Sequence, residues 1–187
     1  MVSRLRRRIA GSVEAVRHVE ARVEEVAAIA QAVRERLDAG GTLYTAGNGG
    51  SAAEALHLAE ELTGRYRSDR APLAAVCLNA DPTALTCIAN DFGFDRVFSR
   101  PCEALLRAGD VLLVFSTSGR SPNLSAALAV ARERGAVTIG LLGRDGGPCL
   151  PLCDHALVIP MDDSAHVQEA HQVVMHLICE VMEGERG

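Results

Sequence analysis

Apolar positions recur every three or four residues near the start of the chain: Val13, Val16, Val19, Val23, Val26, Ile29, Ala30, Val33 and Leu37. That spacing puts them on one broad stripe and predicts a single long helix over 12–38. Asp38-Ala39-Gly40-Gly41 ends it. Such a face can pack on its own sheet or on another subunit, and the pattern leaves both open.

From residue 42 the rhythm changes. Short apolar, β-rich runs at 42–46, 73–78, 111–115, 137–142 and 156–159 alternate with helical stretches at 52–65, 82–90, 96–107, 122–134 and 166–183. Strand, turn and helix in that order mean βαβ units, a mostly parallel sheet and right-handed crossovers with helices on both faces. The expected architecture is a single α/β domain over 1–187, a three-layer αβα sandwich around five strands. Ligands of such sheets collect at the carboxyl ends of the strands, so the loops there are where chemistry is expected.

Two of those loops are rich in small polar residues. The first is Gly47-Asn48-Gly49-Gly50-Ser51-Ala52-Ala53-Glu54. No Lys follows its glycines, so it is not a Walker A loop, and its order is not GxGxxG. Ser51 and Glu54 have the spacing of a capping box, and the helix start behind the glycines suits an anion. The second is Ser116-Thr117-Ser118-Gly119-Arg120-Ser121-Pro122, a dense set of hydroxyl and N–H donors entering a helix. Each alone reads as a turn; two in one small sheet favour a phosphate-binding site. Asn90 and Asp91 could meet sugar hydroxyls or simply end one helix and start the next.

Polar groups also interrupt two apolar helices. His57 and Glu61 are four apart and share a face, a spacing that lets an imidazole and a carboxylate hold one metal or simply pair with each other. Gln168 and His176, eight apart, are separated by about 80° around the last helix. His171 and Gln172 lie near that face too, so the pattern does not select the ligands. Two imidazoles with carboxylate and amide oxygens suit zinc or a similar divalent ion, provided the two helices meet.

Composition narrows the classes. The chain has 187 residues, enough for one core, with 48 % hydrophobic and 23 % charged residues. A formal charge of −5 argues against nucleic-acid or anionic-membrane surfaces. Arg4, Arg6, Arg7 and Arg8 are not followed by a long apolar run, so neither a signal peptide nor a membrane span is expected and the compartment is read as cytoplasmic. The six cysteines contain no CxxC pair. Small buried hydrophobes explain Cys149 and Cys153 better than a soft-metal site.

Taken together, the motifs resemble the phosphoheptose isomerases of the sugar-isomerase (SIS) domain family. The pieces are Gly47 through Ser51, His57 through Tyr66, Asn90 through Phe94, Ser116 through Gly119 with Ser121, Gly143 through Gly147, and Val167-Gln168-Glu169 with His171 and His176. They span nearly the whole chain. The Ser-Thr-Ser-Gly loop indicates only the wider SIS family, whereas the His57/Glu61 and Gln168/His176 pairs are more specific.

The resemblance implies interconversion of sedoheptulose 7-phosphate and D-glycero-D-manno-heptose 7-phosphate through an enediol. Asn48, Gly49, Gly50, Glu61, Asn90, Asp91, Ser116, Thr117, Ser118, Ser121 and Gln168 match substrate-binding positions, with the four hydroxyl residues on the phosphate. His57, Glu61, Gln168 and His176 match metal ligands, for one zinc ion per subunit. Glu61 and His176 match the acid/base pair. It further implies a homotetramer with active sites at subunit interfaces, which gives the 12–38 helix a role in assembly. One departure stands out: His166-Val167-Gln168-Glu169 replaces the family's usual Arg-Ile-Gln-Glu. Competing expectations are an isomerase of another sugar phosphate, separable by its preference for six-carbon phosphates, and a non-catalytic SIS regulator that binds the replication initiator without turnover.

Overall fold

The computed structural model describes residues 1–183. Helices α1 (Val2–Glu20) and α2 (Val23–Asp38) open the chain. Then follow β1 (Leu43–Gly47), α3 (Gly50–Thr63), β2 (Ala75–Cys77), α4 (Pro82–Phe92), α5 (Ser99–Leu105), β3 (Val111–Ser116), α6 (Pro122–Glu133), β4 (Val137–Gly143), β5 (His155–Ile159) and α7 (Ser164–Met182). Short 3-10 turns at Phe94–Arg96 and Gly147–Leu152 complete the described residues.

The single helix expected over 12–38 is two helices, and the first starts at Val2. Neither Pro nor Gly marks the break. Arg22 leaves the helical region (φ −130°, ψ 30°), and its guanidinium donates to the Val158 carbonyl on β5. A tertiary contact overrides local propensity here. Only Ala15 and Val19 of α1 are buried, while Val13 and Val16, expected on the core stripe, are exposed. The stripe's second half holds: Val26, Ile29, Ala30, Val33 and Leu37 are all in the core.

All five strands are parallel, in the order β2-β1-β3-β4-β5. Every residue of β1 and β3 is buried, as expected of strands covered on both faces. One apolar layer joins the sheet to α2, α3 and α7 through Leu58, Leu62, Val174 and Ile178. The other joins it to α5 and α6 through Cys102, Leu124, Leu128 and Ala131. The chain lays β2 on one side of β1 and then β3 on the other, so the crossover direction reverses between β1 and β3. The loops leaving those two strands diverge there and open a crevice. α3 and α7 pack on the same face, which brings their polar residues to one place.

Candidate active site

The first loop folds around glycine. Gly49 has φ +59°, a conformation L side chains rarely adopt, and it is the N-cap residue of α3. A Cβ on Gly47 would lie 2.3 Å from the Ser51 carbonyl oxygen. α3 therefore begins at Gly50, earlier than expected, and the capping box does not form. Ser51 sits inside the helix, and Glu54 turns into the wall of the cleft. Only 6 % of Glu54 is exposed, and neither carboxylate oxygen has a hydrogen-bond partner. Burial pushes its carboxyl up to about 8, and the nearby Ser51 hydroxyl offsets only part of this.

Two reciprocal amide contacts hold the loop. Asn48 and Asn123 exchange hydrogen bonds of 3.0 and 2.9 Å, joining the loop after β1 to the start of α6. Asn79 accepts from the Gly47 N–H and donates to its carbonyl, at 3.2 and 2.9 Å. In the sequence, Asn79-Ala80-Asp81-Pro82 reads only as a turn and helix start.

The second loop lies beside the first. Asn48, Ser51, Ser116, Thr117, Ser118 and Ser121 line a small polar cavity of about 50 Å³. Ser116 Oγ accepts from the Gly119 N–H at 3.0 Å, and Ser118 Oγ from the Arg120 N–H at 3.2 Å. Ser121 is the N-cap residue of α6, yet its hydroxyl makes no capping bond. Gly119 (φ +62°) runs against Gly146, whose carbonyl oxygen would be 1.9 Å from a Cβ there. Hydroxyls and N–H groups around a space of this size suit a phosphoryl oxygen cluster.

A larger cleft opens between α3 and α7, lined by Gly50, Ala53, Glu54, His57, Gln168, Glu169 and Gln172. Deeper along the same helices, His57, Glu61 and His176 bring one ligand atom each within 4.8 Å of one another. His57 Nε2 is 3.1 Å from Glu61 Oε1. The rings of His57 and His176 meet edge-on with centroids 5.5 Å apart, and Tyr66 stacks on His176 at 5.9 Å. Burial and the neighbouring His57 hold the His176 imidazole below its usual value, against the pull of Glu61. Two nitrogens and an oxygen at this separation fit a zinc-type site, because two ligands on one tetrahedral ion stand roughly 3.3 Å apart.

Of the expected residues, His57, Glu61 and His176 converge. Asn48, Ser116, Thr117, Ser118 and Ser121 share the small cavity, and Gly50 and Gln168 share the cleft. The Gln168 amide lies over Gly50, whose Cβ would be 2.4 Å from its Nε2. Gln172, not Gln168, bonds within the trio: its Nε2 is 2.9 Å from His57 Nδ1 and 3.5 Å from His176 Nε2. Asn90 and Asp91 are exposed at the end of α4, bond to each other at 2.8 Å and line neither cavity. His171 is fully buried, with Nε2 3.3 Å from the Leu142 carbonyl; burial pushes it down to about 4 and keeps it neutral. His166 turns toward α1, within 3.4 Å of Ser12, and meets the cleft only through Glu169, at 3.0 Å.

A family model for the SIS domain matches residues 9–143. A phosphoheptose isomerase from Pelobacter propionicus is 52 % identical over 80 % of this chain and 79 % of its own length. The chain belongs to the phosphoheptose isomerase family of SIS-domain proteins. A second relative of the same description, from Solidesulfovibrio magneticus, is 49 % identical over 86 % of this chain and 78 % of its own. Among solved structures, the phosphoheptose isomerase of Neisseria gonorrhoeae superposes with a TM-score of 0.92 at 40 % identity, covering 98 % of both chains. The SIS frame therefore accounts for the parallel sheet and for the position of both loops at its carboxyl edge.

Proposed function

We propose that this protein is a ketose–aldose isomerase that interconverts sedoheptulose 7-phosphate and D-glycero-D-manno-heptose 7-phosphate. The observation that carries the reading is the convergence of His57, Glu61 and His176 between α3 and α7, with a hydroxyl-lined cavity at the start of α3, in a chain about half identical to phosphoheptose isomerases. Ser116, Thr117, Ser118 and Ser121 hold the phosphate with Asn48 across the cavity, and Gly49 and Gly50 follow on the same loop as further substrate contacts. Fixing the distant phosphate aligns the reacting carbons.

Glu61 takes a proton from C1 of the open-chain ketose, and an enediol forms. His176 returns a proton to C2 while the O1 hydroxyl proton passes to O2, leaving the aldehyde at C1. In reverse the two exchange roles, so both must trade protons near neutral pH. Burial and the neighbouring His57 hold the His176 imidazole below its ordinary value, so its protonated form gives up a proton readily in the forward direction and its neutral form takes one in the back reaction. His57, Glu61 and His176 are the groups that would hold one zinc ion per subunit, and Gln168, assigned as a fourth ligand, would have to swing its amide oxygen from over Gly50 toward them. Zinc bound there supplies Lewis-acid polarisation of the substrate carbonyl. Asn90 and Asp91 remain assigned to the sugar hydroxyls.

The reading includes a homotetramer, supported by the exposed apolar stripe Val2, Leu5, Ile9, Val13 and Val16 along α1. It includes a cytoplasmic setting, supported by six free cysteines. Among the described residues, no helix is long and apolar enough to cross a membrane.

The test is conversion of sedoheptulose 7-phosphate by the purified chain, after chelation and again with zinc added. Conversion lost in Glu61→Gln and His176→Asn by 10²-fold or more supports the assignment. A folded protein that turns over no heptose phosphate in either state refutes it.

A further inference from the structure

Gln172 is four residues beyond Gln168 and four before His176, on the face of α7 that looks at α3. Its amide nitrogen lies 2.9 Å from His57 Nδ1, and the other nitrogen of that ring, Nε2, lies 3.1 Å from Glu61 Oε1. His57 is thus gripped at both ring nitrogens, by an amide on one side and a carboxylate on the other.

A neutral imidazole carries one N–H, and the hydrogen bond at one nitrogen decides where it sits. As arranged, the Gln172 N–H donates to Nδ1, which leaves the proton on Nε2 and directs it at Glu61. An ion shared by His57 and Glu61 must lie on the Nε2 side, because that is where the carboxylate is. Nε2 then has to be bare, and the ring proton belongs on Nδ1. The partner of Nδ1 must change from donor to acceptor. A primary amide can do this: its oxygen and nitrogen have nearly the same shape, so a half-turn about the last side-chain bond presents Oε1 to the Nδ1–H. Ligating histidines ordinarily donate their second N–H to an oxygen acceptor, and losing that acceptor weakens metal binding by about 10–100-fold.

We infer that Gln172 is a positioning residue of the metal site, whose amide follows the His57 proton between its two ring nitrogens and fixes the ring with Nε2 free for the ion. The inference rests on the zinc reading above. It gives Gln172 a role distinct from that of Gln168, whose amide lies over Gly50 at the other end of the cleft.

The test uses the full chain, stripped with chelator and titrated with zinc against a competing dye. Gln172→Leu and Gln172→Met keep the bulk and lose the amide, so both should bind zinc about 10–100-fold more weakly. Gln172→Glu keeps an acceptor and should bind at least as tightly as wild type. Long-range ¹H–¹⁵N spectra of the histidine rings supply the second readout. The His57 proton should sit on Nε2 in the zinc-free protein and on Nδ1 once zinc is added, with Nδ1–H exchanging faster with solvent in Gln172→Leu. Unchanged zinc affinity in the Leu and Met variants overturns the inference. So does a zinc-loaded wild type with its proton still on Nε2, or weakened affinity with an unaltered Nδ1–H signal, which would make Gln172 a ligand itself. A wild type that binds no zinc overturns the metal site as well; loss confined to the variants leaves that reading standing.

Discussion

Glu54 offers a direct measure of what the cleft demands of the fold. Its carboxyl is buried with both oxygens unpartnered, and its titration is displaced from 4.5 to about 8. The unfolded chain releases this proton near pH 4.5, whereas the folded chain keeps it until about pH 8. Folded stability from this group is therefore fully present below pH 4.5 and is lost as pH rises toward 8. Each pH unit in that window costs about 1.4 kcal/mol, so at pH 7, some two and a half units above 4.5, the penalty is about 3 kcal/mol. Glu54→Gln keeps the shape and removes the titration. Measured by urea unfolding of the metal-free protein, the variant should match wild type near pH 4 and exceed it by about 3 kcal/mol at pH 7. The gap should stop growing above pH 8. Stability curves that run parallel from pH 5 to 8 would show that Glu54 is solvated or paired, and would refute the reasoning.

Three further substitutions probe the loops. Gly119→Ala places a methyl 1.9 Å from a backbone oxygen at φ +62°, so it should lose roughly 2–4 kcal/mol in thermal or urea unfolding; a wild-type curve contradicts the strain. Gly50→Ala lies at the start of a helix without a positive φ, so stability should hold or rise slightly, while the methyl displaces the Gln168 amide and lowers turnover by tenfold or more. Unchanged turnover would remove Gln168 from the working site. Ser116→Ala leaves the Gly119 N–H without its acceptor, costing about 1–3 kcal/mol and raising KM for a sugar phosphate more than it lowers kcat. An unchanged KM would detach the loop from phosphate binding.

The alternation of strands and helices was legible because the buried strands read as continuous apolar runs, with β3 buried along its whole length. The break at Ala21–Arg22 was not, since both residues are good helix formers and the cause is a carbonyl on a strand far along the chain. The Ser51/Glu54 spacing did match a capping box. What defeated it was Gly49, whose backbone starts the helix early and carries Ser51 past the cap position. On α7, Gln168 and Gln172 are a single turn apart, and helical period alone cannot rank two amides that close together. Only the position of His57 across the cleft separates their roles. Asn79 carries no signal of its role, because Asn79-Ala80-Asp81-Pro82 reads as a turn, while its grip on the Gly47 backbone depends on β2 lying beside β1.

The anchoring of Arg22 on Val158 also bears on how the protein behaves at high concentration. β5 is the outermost strand on its side of the sheet, and an outer strand exposes backbone groups that invite pairing with a stray strand from another molecule. Arg22 is tied to the Val158 carbonyl near the end of this strand, and α1 and α2 pack along it. At the opposite margin β2 is only three residues long, too short to template much pairing. The first two helices thus double as a cover beside the outer strand, and removing them together with Arg22 should show itself first as loss of solubility.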